Sequence, residues 1–251
     1  DKEEIFCESK LVYSTGRSLE SFRAVLEEKR KVLVEPEMLI CAVGTKVYAK
    51  NKKCTTSGEE KKWIEDKEWT EQLEVGWDEE TVRAGCTNAI RMCGEDSAHF
   101  RPEEEQNAHK ITCGLKDEKV TAFVEELDKY LREKNVKAKI ISSGTGGWKY
   151  VDCVSNQAGK LESLEFVRKK LGFEVERTVA CGDSGNDTLM LSGRNLAIVV
   201  GNAQEDLVRW AEKAILEEEE IQGEEGRSTK NRVVMAKAFE ARGIVEGIRA
   251  H

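Results

Sequence analysis

The sequence predicts an α/β fold, a core of short buried strands alternating with helices and interrupted by an α+β insertion. Three observations carry that expectation. Two brief apolar runs, residues 11–13 and 38–43, flank a segment in which Leu19, Phe22, Val25 and Leu26 recur at helical spacing, the pattern of a parallel βαβ unit. Strand and helix patterns alternate in the same way from residue 158 onward. Between these regions, residues 110–154 hold three strand-like runs and one helix without that alternation.

Taken in order, Ser14-Thr15-Gly16-Arg17 turns the first run into its helix, and the second run ends at Gly44-Thr45. The sheet they begin is expected to be parallel. Residues 49–105 are charged, carry Trp63, Trp69 and Trp77, and show one helical stretch at 78–91. Residues 110–115 alternate as a half-buried strand does, and Asp117 is placed to cap a helix with Val120, Phe123, Val124, Leu127 and Leu131 on one face. Strands at 138–141 and 148–154 surround the turn Ser143-Gly144-Thr145-Gly146-Gly147. A helix at 158–171, strands at 178–181 and 196–200, and a helix from 204 follow. The acidic residues 217–225 read as a solvated loop before a C-terminal amphipathic segment. Residues 1–48 and 157–251 are thus expected to form the core, and 49–156 an inserted cap.

Composition removes several function classes. Lys and Arg total 40 against 48 Asp and Glu, a formal charge of -8, which disfavours a surface built for a nucleic-acid backbone or an anionic membrane. No run approaches the ~20 apolar residues of a membrane span, and the first ten residues are charged, so a cytoplasmic protein with a small-molecule partner is expected. Eight cysteines without a C-x-x-C pair read as free thiols. Three dispersed histidines, His99, His109 and His251, make transition-metal chemistry unexpected.

The sharpest chemical signal is Cys181-Gly182-Asp183-Ser184-Gly185-Asn186-Asp187, which leaves a strand's carboxyl end and opens a helix, where open parallel sheets bind ligands. Two carboxylates four positions apart suit a hard cation such as Mg2+, with Asp183 as direct ligand and Asp187 as a second ligand or an orienting partner. An Asx-rich turn that only caps a helix gives the same residues. Ser14-Thr15-Gly16-Arg17 sits at a similar junction, where a hydroxyl and free N–H groups can seat a phosphate or supply a plain N-cap. Lys160, following Gln157-Ala158-Gly159, could offset charge on a transferring phosphoryl group.

The order Thr15, Lys160, Asp183/Asp187 resembles the second, third and fourth motifs of haloacid dehalogenase phosphatases, whose core is Rossmann-like. Longer stretches are similar to the sucrose-phosphate phosphatase family within the α+β-capped sugar phosphatases: Leu11 through Ser18, Ala42 through Thr45, Glu105-Gln106-Asn107 with Lys110, Ser142 through Gly144, Cys181 through Asp187, and Asn202-Ala203-Gln204. The chain departs from that pattern at Ala108, at Val154-Ser155-Asn156, and in a lengthened Gly144–Trp148 loop.

The resemblance implies magnesium-dependent hydrolysis of sucrose 6-phosphate to sucrose and phosphate. Thr15 and Lys160 would be catalytic, and Asp183 and Asp187 would hold Mg2+. Ser14, Gly16, Arg17, Thr45, Asn186 and Asn202 would meet the phosphosugar, with Gln106, Lys110, Asp152 and Asn156 recognising its sugar. Lys110 and Asp152 could instead be exposed strand residues. The family's nucleophile and general acid form an Asp-x-Asp motif on the first core strand, and no Asp-x-Asp occurs in the 251 residues. The chain is therefore expected to be an N-terminally truncated fragment, inactive alone, because a missing central strand costs roughly 1–3 kcal/mol per orphaned buried group against ~5–15 kcal/mol of net stability. Two alternatives remain: a non-catalytic phosphatase-like domain of a sucrose-phosphate synthase, or a phosphatase for another sugar phosphate. A synthase is also a candidate partner.

Overall fold

A computed structural model describes residues 9–51, 62–144, 146–225 and 231–250. Cys7, Cys54, Thr145 and His251 lie outside the described residues. The chain divides into two compact units, residues 1–159 and 160–251.

The first unit opens with β1 (Val12–Ser14), α1 (Leu19–Glu28) and β2 (Met38–Cys41), and β1 pairs with β2 in parallel. Ser18, not Thr15, caps α1, its side chain accepting from the Ser21 N–H. All four residues of β2 are buried, because Leu39 and Cys41 pack on Phe22 while the opposite residues also lose water. The sheet is not wholly parallel. β3 (Lys46–Lys50) pairs antiparallel with β2, β4 (Trp63–Glu65) pairs antiparallel with β3, and the expected core–cap boundary at 48/49 falls inside β3.

The rest of the unit is a two-layer α+β arrangement. After α2 (Lys67–Leu73) and α3 (Glu79–Cys93), capped by Asp66 and Asp78, come β5 (Ala98–Phe100), β6 (Lys110–Lys116), α4 (Val120–Glu133), β7 (Ala138–Ser143) and β8 (Trp148–Ser155). The strands form an antiparallel sheet in the order β5-β6-β8-β7. Its α3/α4 face buries Val82, Ile111, Leu115, Phe123, Leu127 and Val151. Gly85 lets α3 approach α4 closely, since a Cβ there would lie 2.8 Å from the Tyr130 ring.

Two expectations fail here. β6 is buried on both faces over its first six residues, because its polar positions lie under other chain rather than under water. Asp117 does not cap α4: it begins a 3-10 turn, Lys119 occupies the cap position without a side-chain bond, and Asp117 instead faces Lys149 at 3.9 Å.

The second unit runs α5 (Lys160–Lys170), β9 (Val179–Gly182), α6 (Thr188–Leu191), β10 (Leu196–Val199), α7 (Glu205–Glu225), β11 (Val233–Met235) and α8 (Glu240–Ala250). Its three strands are parallel in the order β11-β10-β9, packed on Met190, Leu191, Leu207 and Ala211. The acidic residues 217–225 are the end of α7, not a loop. Glu218 accounts for part of this, since its carboxylate accepts from the Arg232 N–H at 2.8 Å and pairs with the Arg232 guanidinium at 3.2 Å, tying the helix to β11. No helix among the described residues is long and apolar enough to cross a membrane.

Candidate active site

In the second unit, the loop after β9 is folded around Asp187. This carboxylate is 6% exposed. Its Oδ1 accepts from Lys160 Nζ at 2.6 Å, and its Oδ2 accepts from the backbone N–H groups of Asp183 and Ser184 at 3.2 and 3.3 Å. Ser184 and Asp187 form a reciprocal capping box. Gly182 is required for this approach, because a Cβ there would stand 2.7 Å from Asp187 Cβ. Gly185 makes room in turn for Asp206 of α7, whose carboxylate would meet its Cβ at 2.0 Å.

Lys160 is 9% exposed at the first position of α5. Its ammonium also donates to Asn186 Oδ1 at 2.7 Å, and that oxygen accepts from Ser184 Oγ as well. An ammonium has three N–H donors, and two are used. Both Asp187 oxygens are therefore engaged, whereas Asp183 is exposed at the carboxyl end of β9 with its carboxylate in no hydrogen bond or ion pair among the described residues. Its backbone is held by the Gln204 N–H donating to the Asp183 carbonyl at 2.8 Å.

No group of three or more His, Cys, Asp or Glu side chains gathers as a metal cluster among the described residues. One open carboxylate beside a charge-compensated one still fits magnesium, which needs one or two carboxylates and keeps several waters. Asn202 is engaged elsewhere: its Oδ1 accepts from the Glu240 N–H at 2.8 Å, where φ is 51° at the start of α8.

In the first unit, Thr15 follows β1 and its hydroxyl accepts from the Arg17 N–H at 3.2 Å. Gly16 and Arg17 are exposed, the guanidinium reaching Ser21 Oγ at 3.2 Å. Ser14 Oγ is buried without a partner among the described residues. The facing loop is strained, with Ala42, Val43 and Gly44 at φ 51°, 60° and 84°. A β-branched residue in that region is a true outlier, and such strain gathers at functional sites. Its N–H groups are directed at the motif, Val43 donating to the Thr15 carbonyl at 3.4 Å and Ala42 to that of Arg17 at 2.9 Å. Only glycine fits at 44, where a Cβ would lie 2.3 Å from the Gly159 carbonyl oxygen.

Thr45 is fully buried; it donates to the Ala42 carbonyl at 2.8 Å and accepts from Asn107 Nδ2 at 2.9 Å. Asn107 thereby ties this loop to the cap sheet. Lys110 and Asp152 are buried, not exposed, at 5% and 6%. Thr112 joins them: its hydroxyl donates to Asp152 Oδ1 at 2.6 Å and accepts from Lys110 Nζ at 2.6 Å, and Lys110 reaches Asp152 at 3.3 Å. Sheet register makes this cluster, since Thr112 stands opposite Asp152.

Gln106 spends its side chain on backbone, donating to the carbonyls of Arg101 and Thr112 and accepting from the Thr112 N–H at 2.7 Å. Asn156 is exposed after β8. Sequence reasoning missed Thr112 and Asn107 as site residues. The signal for Thr112 was its place two residues beyond Lys110 on one strand face.

The cysteine expectation can be followed for six thiols, Cys41, Cys86, Cys93, Cys113, Cys153 and Cys181, which are unbridged. Burial pushes the Cys41 and Cys181 thiols up to about 12, which makes both unreactive.

The model of the sucrose-6F-phosphate phosphohydrolase family matches residues 3–251. A probable sucrose-phosphatase of Arabidopsis thaliana is 32% identical over 207 residues, 81% of this chain and 44% of the relative. The chain thus spans less than half the length of that relative and of the similar plant proteins. A mannosylfructose-phosphate phosphatase of Agrobacterium fabrum is 26% identical over 240 residues, 95% of this chain and 82% of the relative. Among solved structures, the sucrose-phosphatase of Synechocystis sp. PCC6803, in complex with sucrose and phosphate, superposes with a TM-score of 0.71 at 24% identity, covering 96% of this chain and 83% of that one. A haloacid dehalogenase-like hydrolase of Bacillus subtilis follows at 0.59 and 16%, covering 96% and 76%. At these identities the likeness shows the fold, a Rossmann-like haloacid dehalogenase core with an α+β cap.

Proposed function

Because the chain belongs to the sucrose-6F-phosphate phosphohydrolase family, we propose that it carries the phosphate-, metal- and sugar-binding parts of a phosphatase that hydrolyses sucrose 6-phosphate to sucrose and phosphate. The observation that supports this most is the division of labour around β9: Asp187 is neutralised by Lys160 and two amides while Asp183 stays open to a ligand.

Asp183 would hold Mg2+, with Asp187 orienting the loop. The ion, when bound, would offset phosphate charge. Lys160 keeps one N–H for a phosphoryl oxygen, and its charge opposes the negative charge developing there. Thr15, through its hydroxyl, and Gly16, through its N–H, would bind the phosphoryl group, with the Arg17 N–H holding the Thr15 hydroxyl in place and Ser14 and Thr45 shaping that loop. Lys110 and Asp152 would present a donor and an acceptor to sugar hydroxyls, and the exposed Asn156 after β8 would add an amide. Gln106, Asn186 and Asn202 act on this reading by holding neighbouring groups in place. The nucleophilic and proton-donating carboxylates are not among these 251 residues, so the chain alone binds the phosphosugar without turning it over.

Calorimetric titration of the 251-residue chain with sucrose 6-phosphate in Mg2+ tests the reading. Saturable binding, lost on chelation and in Asp183→Asn, with no phosphate released, is expected. Equal affinity for sucrose 6-phosphate and glucose 6-phosphate would remove the sucrose assignment. A second reading, another disaccharide phosphate, draws on the mannosylfructose-phosphate phosphatase, a relative matched over 82% of its own length; tighter binding of that phosphosugar would favour it.

A further inference from the structure

The cap sheet has one face packed on α3 and α4, and on the other face the end of the sheet away from Lys110 and Asp152 carries a different chemistry. Trp148 and Tyr150 project there from alternate positions of β8, each 41% exposed. His99 of β5 is exposed on the same side, its ring centroid 5.3 Å from that of Trp148. Arg101 lies with its guanidinium carbon 5.1 Å from the Tyr150 ring centroid, held there by a two-bond pairing with Glu105 at 3.1 and 2.7 Å. Between His99 and Tyr150 stands Gly114, opposite both in the sheet register. A Cβ at 114 would lie 3.1 Å from His99 Nε2 and 3.2 Å from Arg101 Cδ, so this buried glycine lets His99 and Arg101 lie close over the strand beside Tyr150.

Large exposed aromatics on a sheet normally indicate a partner. Three rings are far smaller than the ~800 Å² per side of a stable protein interface. They are bordered by fixed donors and acceptors, Arg101 and Glu105, and they continue along β6 and β8 into the buried Thr112–Asp152 pair. An occupant with flat apolar C–H faces and a rim of hydroxyls matches both parts, and that is a pyranose ring.

We propose that Trp148, Tyr150 and His99 form a stacking platform for a neutral pyranose, the hydroxyls of which meet Arg101 and Glu105. The platform deepens the phosphosugar reading, and rests on it only for the identity of the sugar. It makes Trp148 and Tyr150 specificity determinants, selecting pyranose-containing ligands over compact phosphate esters.

The test separates the two ideas by using probes without phosphate. The chain is titrated with sucrose and with methyl α-D-glucopyranoside, and the Trp148 indole N–H resonance, identified by its loss in Trp148→Phe, is followed by NMR. Saturable shifts of that resonance are expected, with binding, measured in parallel by calorimetric titration, about tenfold weaker in Tyr150→Leu and absent in the double variant Trp148→Ala/Tyr150→Ala. Both side chains are exposed, and a thermal scan verifies that the variants fold. An unmoved Trp148 resonance, or sugar affinity unchanged in the double variant, overturns the platform. Sucrose 6-phosphate binding that depends on Asp183 but not on Trp148 and Tyr150 would do the same while leaving the phosphatase reading intact.

Discussion

Two buried ion pairs, one in each unit, are built in opposite ways. Around Asp187 the partners are close in sequence: Gly182 makes room, Ser184 caps, the N–H groups of residues 183 and 184 converge, and only Lys160 comes from another element. Around Asp152 nothing is local. Lys110 and Thr112 arrive through the register of β6 on β8, and Gln106 fixes Thr112 from outside the sheet. The first cluster takes its compensating charge from one distant residue, whereas the register-built cluster depends on the whole sheet.

The difference predicts unequal costs. Lys160→Ala strips Asp187 of its cation in a site with side chains only 8% and 9% exposed, and should cost about 5 kcal/mol, the upper end for breaking a buried pair. Asp152→Ala should cost about 3 kcal/mol, the lower end, because Thr112 Oγ1 still accepts from Lys110 at 2.6 Å. Urea denaturation of both variants measures this, and equal losses would break the comparison. Gln106→Ala comes next: it orphans the buried Thr112 N–H and should cost roughly 1–3 kcal/mol, with backbone amide exchange accelerated in β6 but not in β9.

The smallest effect is set by pH. The Arg101 guanidinium bonded to Glu105 holds that carboxyl below its ordinary value of 4.5. A depressed carboxyl contributes stability that is present above its unfolded value and lost as pH falls through its folded one. The 101–106 segment should therefore loosen only below about pH 4.5, with a modest change in midpoint because this pair is partly exposed. Midpoints measured in acid for wild type and Glu105→Gln should converge as pH falls; a constant gap would contradict the pairing.

Periodicity made the βα alternation legible. Phe22 and Leu26 marked α1, Phe123 and Leu127 marked α4, and apolar runs at 38–41 and 196–199 marked central strands. Short elements in charged surroundings escaped: α2 buries only Trp69 and Leu73, and β4, β5 and β11 have three residues each. The end of α7 looked like a loop because no spacing rule shows that Glu218 reaches Arg232 across 14 residues. The pairing of Lys160 with the Asp187 loop follows the order of the strand–helix junctions, while the Ser184–Asp187 capping box is what a plain Asx-rich turn also gives. The roles of Gln106 and Asn202 as backbone holders were not legible, since an amide suited to sugar is equally suited to a peptide N–H.

The proposed site depends on Asp183 being the open carboxylate and Asp187 the bound one. Thermal denaturation of wild type and Asp183→Asn, with and without Mg2+, tests it directly. The expected result is equal midpoints without the ion and a rise with Mg2+ in wild type alone. An equal rise in both proteins would contradict it.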